Sequence, residues 1–322
     1  MTRDRIGAIA FVIPVRNDAV RLGRCLDSIV RNHYPRTSIE VLVVDNDSTD
    51  GSGEVARASA DAVIRLSGTS VAALRNRGAR ETRAPLIAFV DADHEINRDW
   101  IAAAVTTLAD PAVGAAGFPY DTQPNANWVQ RLYDAMRRRP VSREMVSWLG
   151  SGNLVVKRSC FDAIGGFRES LIACEDVDLC NRLIQAGYSI IADPRMRSTH
   201  YGDPQTVRSL FLGELWRGRD NLRVTFSGPR TFRHFRSALL PIVDLICIAG
   251  GVVALAGGYS LLAMSLWLVP VLAAMLRAAV IYKQRQDRGP RAAVEALLIA
   301  IVFDIARALA LVIPGSHRAR RA

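Results

Sequence analysis

Apolar and polar segments alternate through residues 1–236, and residues 237–313 are mostly apolar. The apolar run Ile9–Val15 reads as a first strand, and Asp18 is then expected to cap a helix on which Leu22, Leu26 and Ile29 share one face. Residues 39–44 predict a second strand running into a polar cluster at 45–51, where Asp50 is the expected cap of a helix over 53–60. Residues 62–66 predict a third strand, 71–81 a helix and 86–90 a fourth strand. Strands alternating with helices predict an α/β fold with a mostly parallel, Rossmann-like sheet and right-handed crossovers.

Beyond Trp100 the pattern loosens. A helix near 100–108 and a strand at 113–118 are followed by a polar, aromatic stretch over 119–148. Apolar residues 154–156 come next, then a turn at Gly165-Gly166. A helix from Asp176 turns Leu179, Leu183 and Ile184 inward and ends at Gly187. The change in hydropathy divides the chain into a globular domain over 1–230 and a membrane domain over 231–322.

Residues 237–258 and 259–282 are each long enough to cross a bilayer core, and their internal charges are Asp244 and Arg277. A third hydrophobic helix at 292–313 also contains Glu295, Asp304 and Arg307. Its twelve Leu, Ile, Val and Phe residues contribute about −5 kcal/mol on the insertion scale, while two central charges cost about +5 to +6 kcal/mol. Insertion of this third helix is marginal unless Asp304 and Arg307 pair at i,i+3. It either crosses against the positive-inside rule or lies in the interface, because a third crossing would put Arg318, Arg320 and Arg321 outside.

The net charge of +10 suits nucleic acid or an anionic membrane. Arginines from Arg208 to Arg236, the cluster Lys283 to Arg291 and the C-terminal arginines flank apolar segments, which favours the membrane. No zinc-finger spacing or RNA-binding aromatic motif supports nucleic acid. Cys25, Cys160, Cys174, Cys180 and Cys247 show neither disulfide nor zinc spacing and read as buried thiols in a reducing compartment. The apolar stretch 6–15 is interrupted by Pro14 and lacks a cleavage site, so it reads as a strand and the globular domain as cytoplasmic.

Two acidic clusters carry the chemistry. Asp91-Ala92-Asp93 follows an apolar strand, and carboxylates at the C-terminal edge of a parallel sheet face the crevice where such folds bind ligands. Oxygen ligands this close suit a hard divalent cation and a phosphate-bearing substrate. Glu175-Asp176-Val177-Asp178 supplies a candidate general base.

The motifs in order are Val12-Ile13-Pro14-Val15-Arg16-Asn17, Val43 to Ser52, Arg75-Asn76-Arg77-Gly78, Asp91-Ala92-Asp93, Gly152-Asn153 with residues 161–167, and Glu175 to Leu179. Together, over roughly residues 8–202, they resemble family-2 glycosyltransferases with the GT-A fold. The resemblance implies a nucleotide-diphosphate sugar donor contacted by Pro14, Val15, Asn17, Asp45, Asp47, Arg75, Asn76 and Asp91. It implies a divalent metal, Mg or Mn, on Asp93, with His200 as a further metal or diphosphate ligand, and gives His94 no role. It implies Asp176 as the catalytic base of an inverting transfer, with Glu175 raising its proton affinity or orienting the acceptor.

Processive synthases of that family carry Gln-x-x-Arg-Trp, which residues 215–220 do not contain, so transfer of one sugar is expected. A lipid-linked acceptor fits the membrane segments, with residues 137–139 or the arginines from Arg217 to Arg236 near its phosphate. The expected location is the inner membrane, multi-pass. Two other readings stand beside this one. A catalytically idle membrane scaffold or transport partner would keep the fold, and a nucleotidyltransferase would carry a Gly-rich basic loop after the first strand, which residues 14–18 do not have.

Overall fold

The computed structural model describes residues 8–137, 140–228, 232–284 and 288–313, which form two compact units. The first comprises residues up to 123, 138–171 and 175–202; the second comprises 124–137, 172–174 and 203 onward.

In the first unit, β1 (Ile9–Val15), β2 (Ile39–Asp45), β3 (Ala62–Arg65) and β4 (Leu86–Val90) form one parallel half of the sheet, linked by α1 (Ala19–Val30), α2 (Ser52–Ser59) and α3 (Val71–Glu81). All seven residues of β1 are buried, as expected of a strand with both sheet faces covered. Next come β5 (His94–Ile96), α4 (Trp100–Leu108), β6 (Val113–Gly117) and β7 (Asp121–Thr122). After α5 (Trp128–Ala135), which belongs to the second unit, follow β8 (Glu144–Met145), β9 (Asn153–Lys157) and α6 (Arg158–Ala163). The unit ends with α7 (Glu175–Gln185), β10 (Ser189–Ala192) and β11 (Ser198–His200).

The main sheet has the order β3-β2-β1-β4-β9-β6-β10-β8, and a small sheet has the order β5-β11-β7. The sheet is mostly parallel as predicted, with two departures: the short edge strand β8 runs antiparallel to β10, and β9 runs antiparallel to both β4 and β6. This inversion brings the start of β9 back to the end of β4, pairing Asn153 with Val90, and the Gly152 carbonyl accepts the Asp91 N–H at 3.2 Å. Asn153 is a buried junction. Its amide donates to the carbonyls of Phe118 and Met196, and its oxygen accepts the Trp100 indole N–H at 2.8 Å. Trp100 packs on Phe11 beneath the sheet, with ring centroids 5.6 Å apart.

The polar cluster after β2 caps differently from the expectation. The N-cap position of α2 is held by Gly51 in the left-handed region, at φ 91°. Asp50 instead joins two helix starts, its carboxylate accepting the N–H groups of Ala19 on α1 and Ser52 on α2, both at 3.0 Å. Asp18 makes no side-chain cap and accepts the Arg21 guanidinium at 2.7 Å. Cys25, Cys160, Cys180 and Cys247 are buried, and Cys174 is half-buried.

The second unit contains α5, α8 (Val207–Arg217), α9 (Asn221–Ser227), α10 (Phe232–Ala256), α11 (Ser260–Lys283) and α12 (Pro290–Leu309). Among the described residues, two helices are apolar and long enough to cross a membrane, through Leu239–Ala256 and Ser260–Lys283. The expected Asp304–Arg307 pair is replaced by a longer-range one. Asp304 of α12 accepts Arg277 of α11 at 2.8 Å, while Arg307 lies 3.8 Å from Glu214 of α8. Pairing between neighbouring helices cancels the charge of Arg277 inside α11, which an i,i+3 pair inside α12 would have left uncompensated.

Candidate functional site

The Asp91–Asp93 turn leaves the end of β4 and enters β5, so both carboxylates stand at the C-terminal edge of the sheet. β5 pairs antiparallel with β11 in a register that sets His94 directly opposite His200. The two imidazoles have ring centroids 4.8 Å apart, and Tyr120 packs against both. His200 Nε2 lies 3.3 Å from Asp93 Oδ2.

One ligand atom from each of Asp93, His94 and His200 lies within 4.8 Å of the others. Ser198 engages His94 Nδ1 at 3.0 Å, which orients the ring the way metal-bound histidines are commonly held by an outer partner. Two glycines keep the space open. A Cβ on Gly202 would run into Asp93 Oδ2, and one on Gly152 would stand 2.9 Å from His94 Nε2. One carboxylate and two imidazoles with room beside them fit a divalent cation of the first transition row. Burial by itself would raise the Asp93 carboxyl, but His200, His94 and Arg21 outweigh it and hold the group well below the usual carboxylate range.

Arg75 joins this cluster to the second acidic motif. Its buried guanidinium donates to Asp91 at 2.6 Å and to Glu175 at 2.7 Å. α7 begins with Glu175, so Asp176 sits in its first turn, where a carboxylate complements the helix dipole. Asp176 accepts its neighbour Val177 N–H at 2.8 Å. Burial, followed by the adjacent Glu175 carboxylate, pushes Asp176 up to about 7, against the opposing pull of the Val177 and Ser151 N–H groups and Arg75. A carboxyl in that range exchanges protons near neutral pH. Replacing Arg75 by Met leaves Glu175 and Asp91 facing an apolar side chain. The expected cost is about 3 kcal/mol, that of uncompensating a buried charge, measured as a fall in Tm of the detergent-purified protein.

The remaining predicted residues divide into two groups. Pro14 and Val15 end β1, and Asn17 follows in the left-handed region at φ 51°, its side-chain oxygen accepting the Thr49 N–H at 2.8 Å. Asp45 is buried and accepts the Ser48 N–H, while Asp47 is exposed and pairs with Arg65. These loops meet at the edge of β1 and β2. Asn76 is buried and holds the turn after Gly166, donating to the Phe167 carbonyl and to Glu169 and accepting the Phe167 N–H. That set of bonds makes Asn76 a support of the turn.

Arg77 and Arg80 pair with Glu81 and Glu169 on the helix surface. Arg137, expected near an acceptor phosphate, is held by Asp203 and Asp134; residues 138 and 139 lie outside the described residues. His94 and Tyr120 had no assigned role. Position 94 carries a signal in hindsight, since a histidine directly after two carboxylates extends their ligand set.

Residues 10–168 match the family described as Glycosyl transferase family 2. Glycosyltransferase AglE of Haloferax volcanii is 30% identical over 193 residues, covering 56% of this chain and 63% of that protein. The pre-mycofactocin glycosyltransferase of Mycobacterium tuberculosis is 31% identical over 202 residues, covering 58% of this chain and 41% of that protein. The matches therefore span less than two thirds of either relative's length. Among solved structures, a mannosyltransferase from Pyrobaculum calidifontis in complex with GDP-Man and Mn2+ superposes with a TM-score of 0.59 at 19% identity. The superposition covers 94% of this chain and 87% of that one. The α/β unit has the GT-A fold.

Proposed function

We propose that this chain, whose residues 10–168 match glycosyl transferase family 2, is a member of that family and transfers one sugar, with inversion, from a nucleotide-diphosphate sugar to a membrane-linked acceptor. The observation that carries the proposal is the Arg75 clamp. One buried guanidinium holds Asp91 of the Asp91–Asp93 turn and Glu175 beside Asp176, so a donor diphosphate and an acceptor hydroxyl meet within a single crevice.

Asp93, His94 and His200 are the residues that would hold a divalent cation. A divalent ion bound there supplies Lewis-acid neutralisation of the departing nucleoside diphosphate. The loops at Pro14–Asn17 and Asp45–Asp47 receive the base and ribose, where Asp45 and Asp47 offer acceptors to N–H and O–H groups. Asp176 takes the proton of the attacking acceptor hydroxyl, and its raised proton affinity suits that role at neutral pH. Glu175 maintains that affinity by like-charge repulsion while Arg75 keeps it in place. α10 and α11 anchor the enzyme in the membrane, where a polyprenyl-linked glycan would present its acceptor hydroxyl.

Thermal unfolding of the purified chain with nucleoside diphosphates and nucleotide sugars tests the donor site, since a bound ligand raises apparent stability by mass action. Stabilisation is expected with one nucleotide series, and it should be larger with Mn2+ than with Mg2+ because two of the three ligands are imidazoles. Transfer of labelled sugar into a polyprenyl phosphate or diphosphate fraction tests the acceptor. The reading fails if no nucleotide stabilises the protein and no transfer is seen.

A further inference from the structure

α12 packs against the apolar helices α10 and α11 and also against the charged helices α5 and α8. At its start, Arg288, Arg291 and Glu295 line a cavity of about 350 Å³ together with Trp128 and Arg131 of α5. Near its end, Arg307 faces Glu214 of α8, and Ala310 closes on Gly218, the residue after α8. Between these points Ala296, Ile299 and Ala300 share an apolar cluster with Val129 and Leu132 of α5, Leu210 of α8, and Ala274, Ala278 and Ile281 of α11. Both partner helices carry charge, including Arg131 and Asp134 on α5 and Arg208, Glu214 and Arg217 on α8.

The 20 residues of α12 run about 30 Å, the thickness of a hydrocarbon core. If α12 crossed the bilayer, α5 and α8 would be drawn into hydrocarbon along with it, at about 2.5–3.5 kcal/mol for each central charge. The outward face has the opposite character. Val294, Leu298, Ile301 and Ile305 repeat at helical spacing and are all exposed, from 67% at Val294 to 38% at Ile301. A continuous aliphatic stripe of this length needs an apolar partner.

We propose that α12 does not cross the membrane but lies along its cytoplasmic interface, with this stripe in the lipid and with α5 and α8 on the aqueous side. The occupant is lipid because α12 packs directly against the two apolar helices, α11 through the Arg277–Asp304 pair. The cavity at its start is lined by three arginines and one glutamate beside a tryptophan, a composition suited to anionic head groups at the interface. In this placement Lys283, Arg288 and Arg291 lie on the cytoplasmic side, as the positive-inside rule requires. The proposal rests on α10 and α11 being the membrane anchor.

The test uses the full chain in native membrane vesicles, with one protease site inserted between Gln284 and Arg288 and a second after Ala322. Both sites should be cut from the same face. Nitroxides on Leu298→Cys and Ile301→Cys, read against the parent protein, should collide with oxygen at least several-fold more readily than with a water-soluble nickel chelate. Cleavage from opposite faces of a carbonate-resistant protein would overturn the placement of α12 alone. Nickel-accessible labels, or strong spin–spin broadening from a second copy, would overturn lipid as the occupant. Release of the whole protein by alkaline carbonate would overturn the anchor and the proposal with it.

Discussion

Asp93→Ala is expected to lower kcat/KM for sugar transfer by about 10³-fold. A metal that neutralises the leaving diphosphate contributes several kcal/mol at the transition state, and about 4 kcal/mol corresponds to three decades in rate. Asp93 is the carboxylate of the three-ligand cluster, and the variant leaves two imidazoles with no carboxylate to hold a dication. The same variant should lose the additional thermal stabilisation that Mn2+ gives in the presence of nucleoside diphosphate. Stabilisation by nucleotide without metal should persist, because the loops after β1 and β2 are intact. An unchanged Mn2+ effect in Asp93→Ala would remove the cation from this cluster.

The second large effect is expected at Asp176. Asp176→Asn should reduce kcat by 10²- to 10⁴-fold, the usual range for loss of a positioned base, with little change in donor affinity. The pH dependence follows from the raised proton affinity. A base must be deprotonated to act, so kcat/KM rises with pH, tenfold per unit below about 7, and levels off above it. Glu175 raises the Asp176 value through like charge, so Glu175→Gln should move this limb to lower pH. A profile flat from pH 5 to 8, or full turnover by Asp176→Asn, would exclude Asp176 as the base.

The parallel half of the sheet was legible because its strands are long, apolar and separated by helices of 3.6 periodicity. Residues 9–15, 39–45 and 86–90 announce themselves by burial alone. The inverted strand β9 was not legible: an apolar run such as Leu154-Val155-Val156 reads identically in either direction. β5 and β11 are three residues each and pair across a separation of about a hundred positions, so no local pattern marks them. The meeting of His94 with His200 depends on that pairing and was hidden for the same reason. α5 and α8 did carry a readable mark. Asn127 with Gln130 and Thr206 with Ser209 form reciprocal capping pairs at the expected spacing of three.

The two acidic motifs were legible as separate features, but their joining was not. The sequence offers Arg75 as one of several arginines on α3, and only the fold buries it while Arg77 and Arg80 remain at the surface. The third hydrophobic helix shows the same limit. Its charges are plain in the sequence, yet the partners they take, Arg277 for Asp304 and Glu214 for Arg307, lie on other helices.

The Arg75 clamp also bears on how such a site diverges. Asp91 and Glu175 share one guanidinium, so a change at either alters the charge balance felt by the other. Substitutions there should be epistatic, departing from additivity by 0.5–3 kcal/mol, as is usual for residues in one ion-pair network. Single-site libraries would then under-report the routes to new donor or acceptor preference, because a change tolerated only alongside its counterpart scores as inactive alone. Paired libraries over Asp91 and Glu175, with Arg75 retained, sample the variants that the shared cation permits.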